Sequence, residues 1–360
     1  MTPKTNFEIF SDKMTSLNLF FMLALASMHV VSIWELYYTS RDAVSDFMAG
    51  VCYSSMSYFF FMSGFWLFRR YAQKDYLNIL IKKAKTLIIP FFAWGAIKIV
   101  ATEVIGLLRG EGLKYSVGEA FRMLFFAHIG HINMSPLNGP LWYLARLFTY
   151  IVCAPLIYFF LKNKYTGLIS LVLLAVGTIR CDYYGWLGWI FVFSLGAYIG
   201  IHYEQELIRF ATCSFGYIQK HIVKSSVAKD LLIIGCIALY LLMWKICVSI
   251  PGITFLNFSD RPFRQLLCVF VPSIILPYIG GGNSSRQYSF MLYCSQAILG
   301  TWLVQIVHKV ADHIPFVGES TGIQQTIVWT LMVSLVYLFW KIGKKLFPGL
   351  LTFVAGGRGK

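Results

Sequence analysis

His29 is the residue whose type and position most directly suggest chemistry. It falls about twelve residues, or about 18 Å of helix at 1.5 Å per residue, into the first long apolar run. That depth is past the bilayer midpoint, where an ionisable side chain is costly unless it faces a cavity or a partner. A neutral imidazole there can accept a proton from a hydroxyl. Position alone leaves a second reading open, a histidine hydrogen-bonded to a neighbouring helix. Asn18 precedes His29 by eleven residues, nearly three helical turns, so the two share one face, with Asn18 near its cytoplasmic entrance.

Other groups have suitable chemistry at less decisive positions. The segment 69–85 carries Arg69, Arg70, Lys74, Lys82, Lys83 and Lys85. Such a cluster can hold the phosphates of a nucleotide-like donor, or serve only as a topology signal drawn to anionic lipid. Lys82 and Lys85 share a face if the third helix begins early. Lys98, Glu103 and Arg146 fall at membrane depth towards the outer side, where they line a polar cavity or snorkel to the interface. Trp142 and Tyr143 read as outer-interface aromatics. His128 and His131 form an H-x-x-H without the glutamate of a zincin, so they read as loop residues and no metal is implied.

The elements that must position these residues are membrane helices. Of 360 residues, 58% are hydrophobic and 13% charged, about half the charge of a soluble domain. The apolar runs are continuous, not alternating, which excludes a barrel and leaves helices as the spanning structure. Ten spans are expected, at 17–37, 47–68, 86–108, 140–161, 166–181, 184–202, 230–248, 263–281, 288–308 and 324–346. With both termini in the cytoplasm, inner segments hold twenty of the thirty-one basic residues, which sets the orientation. The same placement accounts for the net charge of +15 without nucleic acid. Ala24-Leu25-Ala26 imitates a signal-peptidase site, but the apolar run continues to Trp34, so an uncleaved first span is expected. The eight scattered cysteines contain no CxxC and read as packing residues. The longest segments between spans, 109–139 and 203–229, are too short for an independent core, so residues 1–360 form a single all-α membrane domain.

Several segments, in order along the chain, resemble acyltransferase family 3, the membrane group that includes glycan O-acetyltransferases. They are Ala26-Ser27-Met28-His29, Phe59-Phe60-Phe61-Met62-Ser63-Gly64-Phe65-Trp66-Leu67 and Ile89-Pro90-Phe91-Phe92 after the basic run. Gly139-Pro140-Leu141-Trp142-Tyr143-Leu144, Ser289-Phe290-Met291-Leu292-Tyr293 and the terminal Gly356-Gly357-Arg358 complete the set. The resemblance implies a ten-helix fold, an acyl-CoA donor (acetyl-CoA foremost) reached from the cytoplasm, and a carbohydrate acceptor. It carries His29 over as the catalytic residue. The chain departs from the family pattern at three places: Asn18 where arginine is usual, Gln296 where histidine is frequent, and Lys82 and Lys85 where arginines are common. Lysine keeps the charge but loses bidentate phosphate recognition.

The resulting expectation is a multi-pass enzyme of the cell membrane. It moves acetyl or a related small acyl group to a sugar hydroxyl of a surface polysaccharide or its lipid-linked precursor. Arg69, Arg70, Lys82, Lys85 and Asn18 would bind the donor; Trp142, Tyr143, Arg146, Lys98 and Glu103 would face the acceptor. Ser63 reads as a small packing residue beside Gly64. Two rival readings are a transporter of a glycan or lipid-linked sugar, and a non-catalytic partner of glycan-synthesis proteins.

Overall fold

A computed structural model describes residues 4–38, 40, 42–51, 55–73, 75–125, 138–179, 187–212, 286–311 and 313–358, with isolated positions between 235 and 279. The described residues are helical, without strands. The helices are α1 (Asn6–Tyr38), α2 (Ala43–Val51), α3 (Ser55–Phe68), α4 (Tyr76–Leu108), α5 (Val117–Phe125), α6 (Trp142–Val152) and α7 (Ala154–Leu161). After them come α8 (Lys164–Thr178), α9 (Ile190–His202), α10 (Glu204–Thr212), α11 (Arg286–Ala311), α12 (Pro315–Gly318), α13 (Thr321–Leu346) and α14 (Pro348–Val354).

Among the described residues four helices, α1, α4, α11 and α13, are long and apolar enough to cross a membrane; α6 and α7 make a fifth span if their 60° bend is bridged. The expected span 230–248 is described only at residues 235 and 238, span 263–281 only at isolated positions, and His128 and His131 lie outside the described residues. The structure also differs from the expected boundaries. α1 begins at Asn6, well before residue 17, and the expected span 47–68 is divided between α2 and α3. The span 140–161 is broken at Cys153, where Pro155 follows within the first turn of α7. A proline lacks the N–H that would continue the ladder, so a bend there is expected.

Side-chain caps fix several helix starts. Asp75 accepts from the Leu77 N–H at 3.0 Å, Asn163 from Tyr165 N–H at 2.9 Å, and Ser320 from Ile323 N–H at 3.4 Å. In lipid, apolar contact gives no special drive for helix pairing, so close packing of small residues does that work. The α3–α9 crossing is the clearest instance. A Cβ on Gly64 would overlap the Phe193 carbonyl, one on Gly196 would overlap the Phe61 carbonyl, and one on Gly200 would meet Phe65 O at 2.8 Å.

The two ends of the bundle differ in charge. One end joins the N-terminal half of α1 to the basic residues. Arg69 pairs with Glu204, Arg286 reaches Ser11 and Thr15, and Arg358 reaches Thr86. The opposite end is tied by Asp42, which accepts from the Gly322 N–H at 2.7 Å, and by Arg109, which donates to Gln305 at 2.9 Å.

Candidate functional site

At the basic end lies a cavity of about 450 Å³, lined from α1 by Phe7, Ser11, Met14, Thr15 and Asn18. These positions recur at three- and four-residue steps, which is one face of a helix. Opposite them stand Ser63, Trp66 and Leu67 of α3, Lys83 of α4, Leu147 and Ile151 of α6, and Arg286 at the start of α11. Arg286 donates to the hydroxyls of Ser11 at 3.0 Å and Thr15 at 3.4 Å and pairs with no carboxylate among the described residues. The chamber thus combines cations with hydroxyl and amide groups, a lining suited to an anionic, partly polar ligand.

His29 continues the α1 stripe that lines the cavity, but about 16 Å deeper than Asn18 at 1.5 Å per residue, and it is not part of the wall. It is half-buried and makes no hydrogen bond to a described residue. α11 runs parallel to α1: its Arg286 meets Ser11 and Thr15, and its Gly300 packs on Ile33. That register puts Gln296 within about a turn of the level of His29. Gln296 is fully buried, and neither atom of its amide finds a partner among the described residues. An unpaired buried amide costs about 1–3 kcal/mol.

Behind the cavity wall, bonded to its Ser63, stands Tyr143. Its hydroxyl is 2.8 Å from Ser63 Oγ and donates at 3.3 Å to the Phe59 carbonyl, and its ring packs edge-on against Phe60 and Tyr293. Tyr293 in turn donates to the Pro140 carbonyl, and Asn138 Nδ2 donates to Cys294 O at 2.8 Å, so α11 holds the start of α6. Tyr143 therefore lies inside the bundle, nearer the basic end than the interface position expected from sequence. Its neighbour Trp142 packs on Phe60 and Trp189.

The structure separates the remaining expected site residues. Asn18 lines the cavity. Arg69 is spoken for: its Nη2 is 2.7 Å from Glu204 and its guanidinium lies 3.9 Å over the Phe7 ring. Arg70, in left-handed backbone at φ 55°, is 4.0 Å from the same carboxylate. Lys82 and Lys85 face outwards, and the intervening lysine, Lys83, faces the cavity. Glu103 accepts the backbone N–H groups of Lys114 at 2.8 Å and Tyr115 at 2.9 Å, which secures the turn after α4. Lys98 is half-buried and Arg146 buried, and neither lines the cavity. Sequence reasoning placed Lys83 in the basic cluster without singling it out for the donor, and took Arg286 only as a topology charge. A signal was available for Arg286, which stands three residues before the Ser289–Tyr293 segment, but none pointed it at Ser11.

With this geometry in view, the comparisons with known proteins are informative. The family model Acyl_transf_3, described as an acyltransferase domain, matches residues 16–350, nearly the whole chain. No curated protein and no solved structure matches it.

Proposed function

Because the chain belongs to acyltransferase family 3, we propose that it transfers acetyl, or a related small acyl group, from acyl-CoA to a sugar hydroxyl of a surface polysaccharide or its lipid-linked precursor. The observation that carries this reading is the cavity at the basic end, in which Asn18, Lys83 and Arg286 converge on the α1 stripe that leads to His29. In this reading the basic end faces the cytoplasm of a cell membrane, as the charge distribution favours. Lys83 and Arg286 receive the phosphates of coenzyme A. The pantetheine arm, whose extended length is of the order of the Asn18–His29 rise, runs along α1 towards the histidine.

The chemistry is direct acyl transfer. The His29 imidazole takes the proton of the sugar hydroxyl as its oxygen attacks the thioester carbonyl. The carbon–sulfur bond breaks, the coenzyme A thiolate leaves, and the imidazolium returns its proton to the sulfur. The products are an O-acyl sugar and free coenzyme A. Gln296, within about a turn of the level of His29, offers a buried amide without a described partner to orient either hydroxyl or carbonyl.

The test is acyl transfer by the purified protein in nanodiscs. Radiolabelled acetyl-CoA is supplied with glycan and lipid-linked acceptors from the host membrane. Label should appear on the glycan as an alkali-labile ester. Movement of a sugar lipid between leaflets without any acyl donor, and no ester on any acceptor, would overturn the reading.

A further inference from the structure

The C-terminal tail after α14 folds back into the bundle. Its backbone turns through Gly356 (φ 64°) and Gly357 (φ 77°), left-handed conformations that favour glycine. A side chain at Gly356 would also meet Thr86 O at 2.6 Å and Pro90 Cγ at 2.8 Å, so only glycine lets the tail lie this close to α4. The turn delivers Arg358 to a prepared seat. Its Nη1 donates to Thr86 O at 3.0 Å and to Ala355 O at 2.9 Å, and its guanidinium carbon lies 3.8 Å over the Phe290 ring.

The seat is chemically incomplete. Nη1 is used twice, whereas Nε and Nη2, the edge that takes an oxyanion bidentately, make no hydrogen bond to a described residue. No carboxylate pairs with Arg358 among the described residues. The groups within its electrostatic reach are the Tyr143 hydroxyl and the Cys294 thiol. Its anchor oxygen leads to the cavity wall on one side, and the Tyr143 hydroxyl, within reach of its charge, leads there on the other. Tyr143 bonds Ser63, and the Thr86 hydroxyl bonds Lys83 O at 3.3 Å; Ser63 and Lys83 both line the cavity. A half-buried guanidinium is costly without a counter-charge.

We propose that Arg358 is an anion-binding residue of the site, its free Nε/Nη2 edge receiving a negatively charged oxygen of the acyl donor. The inference rests on the acyl-CoA reading above. The oxygen belongs either to a phosphoryl group of coenzyme A or to the thioester carbonyl, which gains negative charge as the hydroxyl attacks. The tail is then a working part of the site.

The experiment compares wild type with Arg358→Gln and Arg358→Lys, all purified full-length. It measures binding of coenzyme A and of 3′,5′-ADP by calorimetry, and kcat and KM for acetyl-CoA per folded molecule. Loss of a charged hydrogen bond is worth about ten- to a hundredfold. If a phosphoryl group is the ligand, Arg358→Gln weakens binding by that factor while kcat is kept. If the thioester oxygen is the ligand, coenzyme A binding is unchanged and kcat falls by that factor. Arg358→Lys retains part of either effect, because it keeps charge without the fork. Wild-type binding and kcat in Arg358→Gln would overturn the proposal. So would a lower melting temperature in both variants with unaltered kinetics, the pattern of a purely structural tether. A wild-type protein that binds no coenzyme A and acylates nothing removes the acyl-CoA reading itself, which separates that failure from this one.

Discussion

Pro90 and Arg358 are partners through a single oxygen. A proline has no N–H to offer the carbonyl four residues before it, so inside α4 the Thr86 carbonyl is left without its helical donor, and Arg358 Nη1 donates to it at 3.0 Å. The vacancy made by one residue of the Ile89-Pro90-Phe91-Phe92 segment is filled by the last residue of Gly356-Gly357-Arg358. Two sequence features 268 positions apart (358 less 90) are thereby one structural device.

Pro90→Ala should dissolve that device without harming the helix. Alanine is favoured over proline in a helix interior by about 3 kcal/mol, and its N–H would compete with Arg358 for Thr86 O. Expression should be unaffected, while the tail loosens. Trypsin cleavage after Arg358, seen by intact mass as loss of Gly359-Lys360, should accelerate several-fold. An unchanged cleavage rate would show that the tail is held by other contacts, such as the Trp94 indole on Val354 O at 3.0 Å.

The α3–α9 crossing should be intolerant of a single methyl group. Gly64→Ala or Gly196→Ala places a Cβ against a backbone carbonyl, which cannot rotate away. Overpacking of this kind costs about 1–3 kcal/mol or more. Each variant should melt several degrees lower in detergent, whereas Gly118→Ala, with open space around its Cβ position, should not. Equal melting points for all three would refute so close an approach of the two helices.

Donor binding should depend on which lysines face the cavity. Lys83→Gln combined with Arg286→Gln should raise the KM for acetyl-CoA by about tenfold or more, the value of one or two charged hydrogen bonds. Lys82→Gln combined with Lys85→Gln removes the same charge from outward-facing positions and should have the smaller effect, suppressed by added salt. Initial-rate kinetics at two ionic strengths distinguish them. Comparable, salt-sensitive losses from both pairs would indicate general attraction to the surface.

The His29 assignment separates by chemistry rather than by size. General-base assistance is worth about 10²–10⁴ in rate. His29→Ala and His29→Gln should both lose that factor at normal membrane abundance, because glutamine can hydrogen-bond but cannot take the proton. Glycan acylation normalised to protein level is the readout. Near-normal acylation by the glutamine variant would make the histidine structural.

Asp42 should make stability depend on pH at the opposite end of the bundle. Burial alone would raise its pKa, but hydrogen bonds from the Ser45 and Gly322 N–H groups and from the Ser45 and Ser320 hydroxyls outweigh it. The net value is below the ordinary 3.8. A depressed carboxyl pKa stabilises the fold above the unfolded value and loses that contribution as pH falls through the folded one. Asp42→Asn should therefore cost about 0.5–1 kcal/mol at pH 7, the low end for a hydrogen-bonded charge because solvent screens the partly exposed carboxylate, and the gap in melting temperature from wild type should narrow below about pH 4. A gap independent of pH would refute the role of the charge.

The sequence exposed the building blocks better than their meeting points. His29 and Asn18 were recognised as sharing one face because helical periodicity is local, and the α1 stripe through Ser11 and Asn18 obeys it. The quoted segments each fall at a packed contact: Ser63 on Tyr143, Tyr293 on Pro140, Pro90 beside Gly356. The role of Lys83 could not be read, since Lys82, Lys83 and Lys85 differ only in direction, which depends on where α4 begins and what it packs against. Arg69 looked available until Glu204, 135 residues away, was brought beside it. The bend at Cys153 follows from the local Pro155, which hydropathy does not register, whereas the inward position of Tyr143 comes from tertiary contacts.

The short helices carry a consequence for the surrounding lipid. α9, bounded by Trp189 and Tyr203, has thirteen residues, about 20 Å at 1.5 Å per residue, against a hydrocarbon core of about 30 Å. Its neighbour α8, with fifteen residues, turns Leu168, Ile169, Val172, Leu173 and Val176 outwards. α1 and α4, at thirty-three residues each, have length to spare. Among the described residues the helices therefore differ in apolar length, and the α8 flank calls for local thinning of the bilayer or for lysines such as Lys162 and Lys164 to reach up to the headgroups. Acyl-chain length becomes a control variable: shorter-chain lipids match that flank, longer-chain lipids tilt it, and activity in reconstituted membranes will follow bilayer thickness as well as composition.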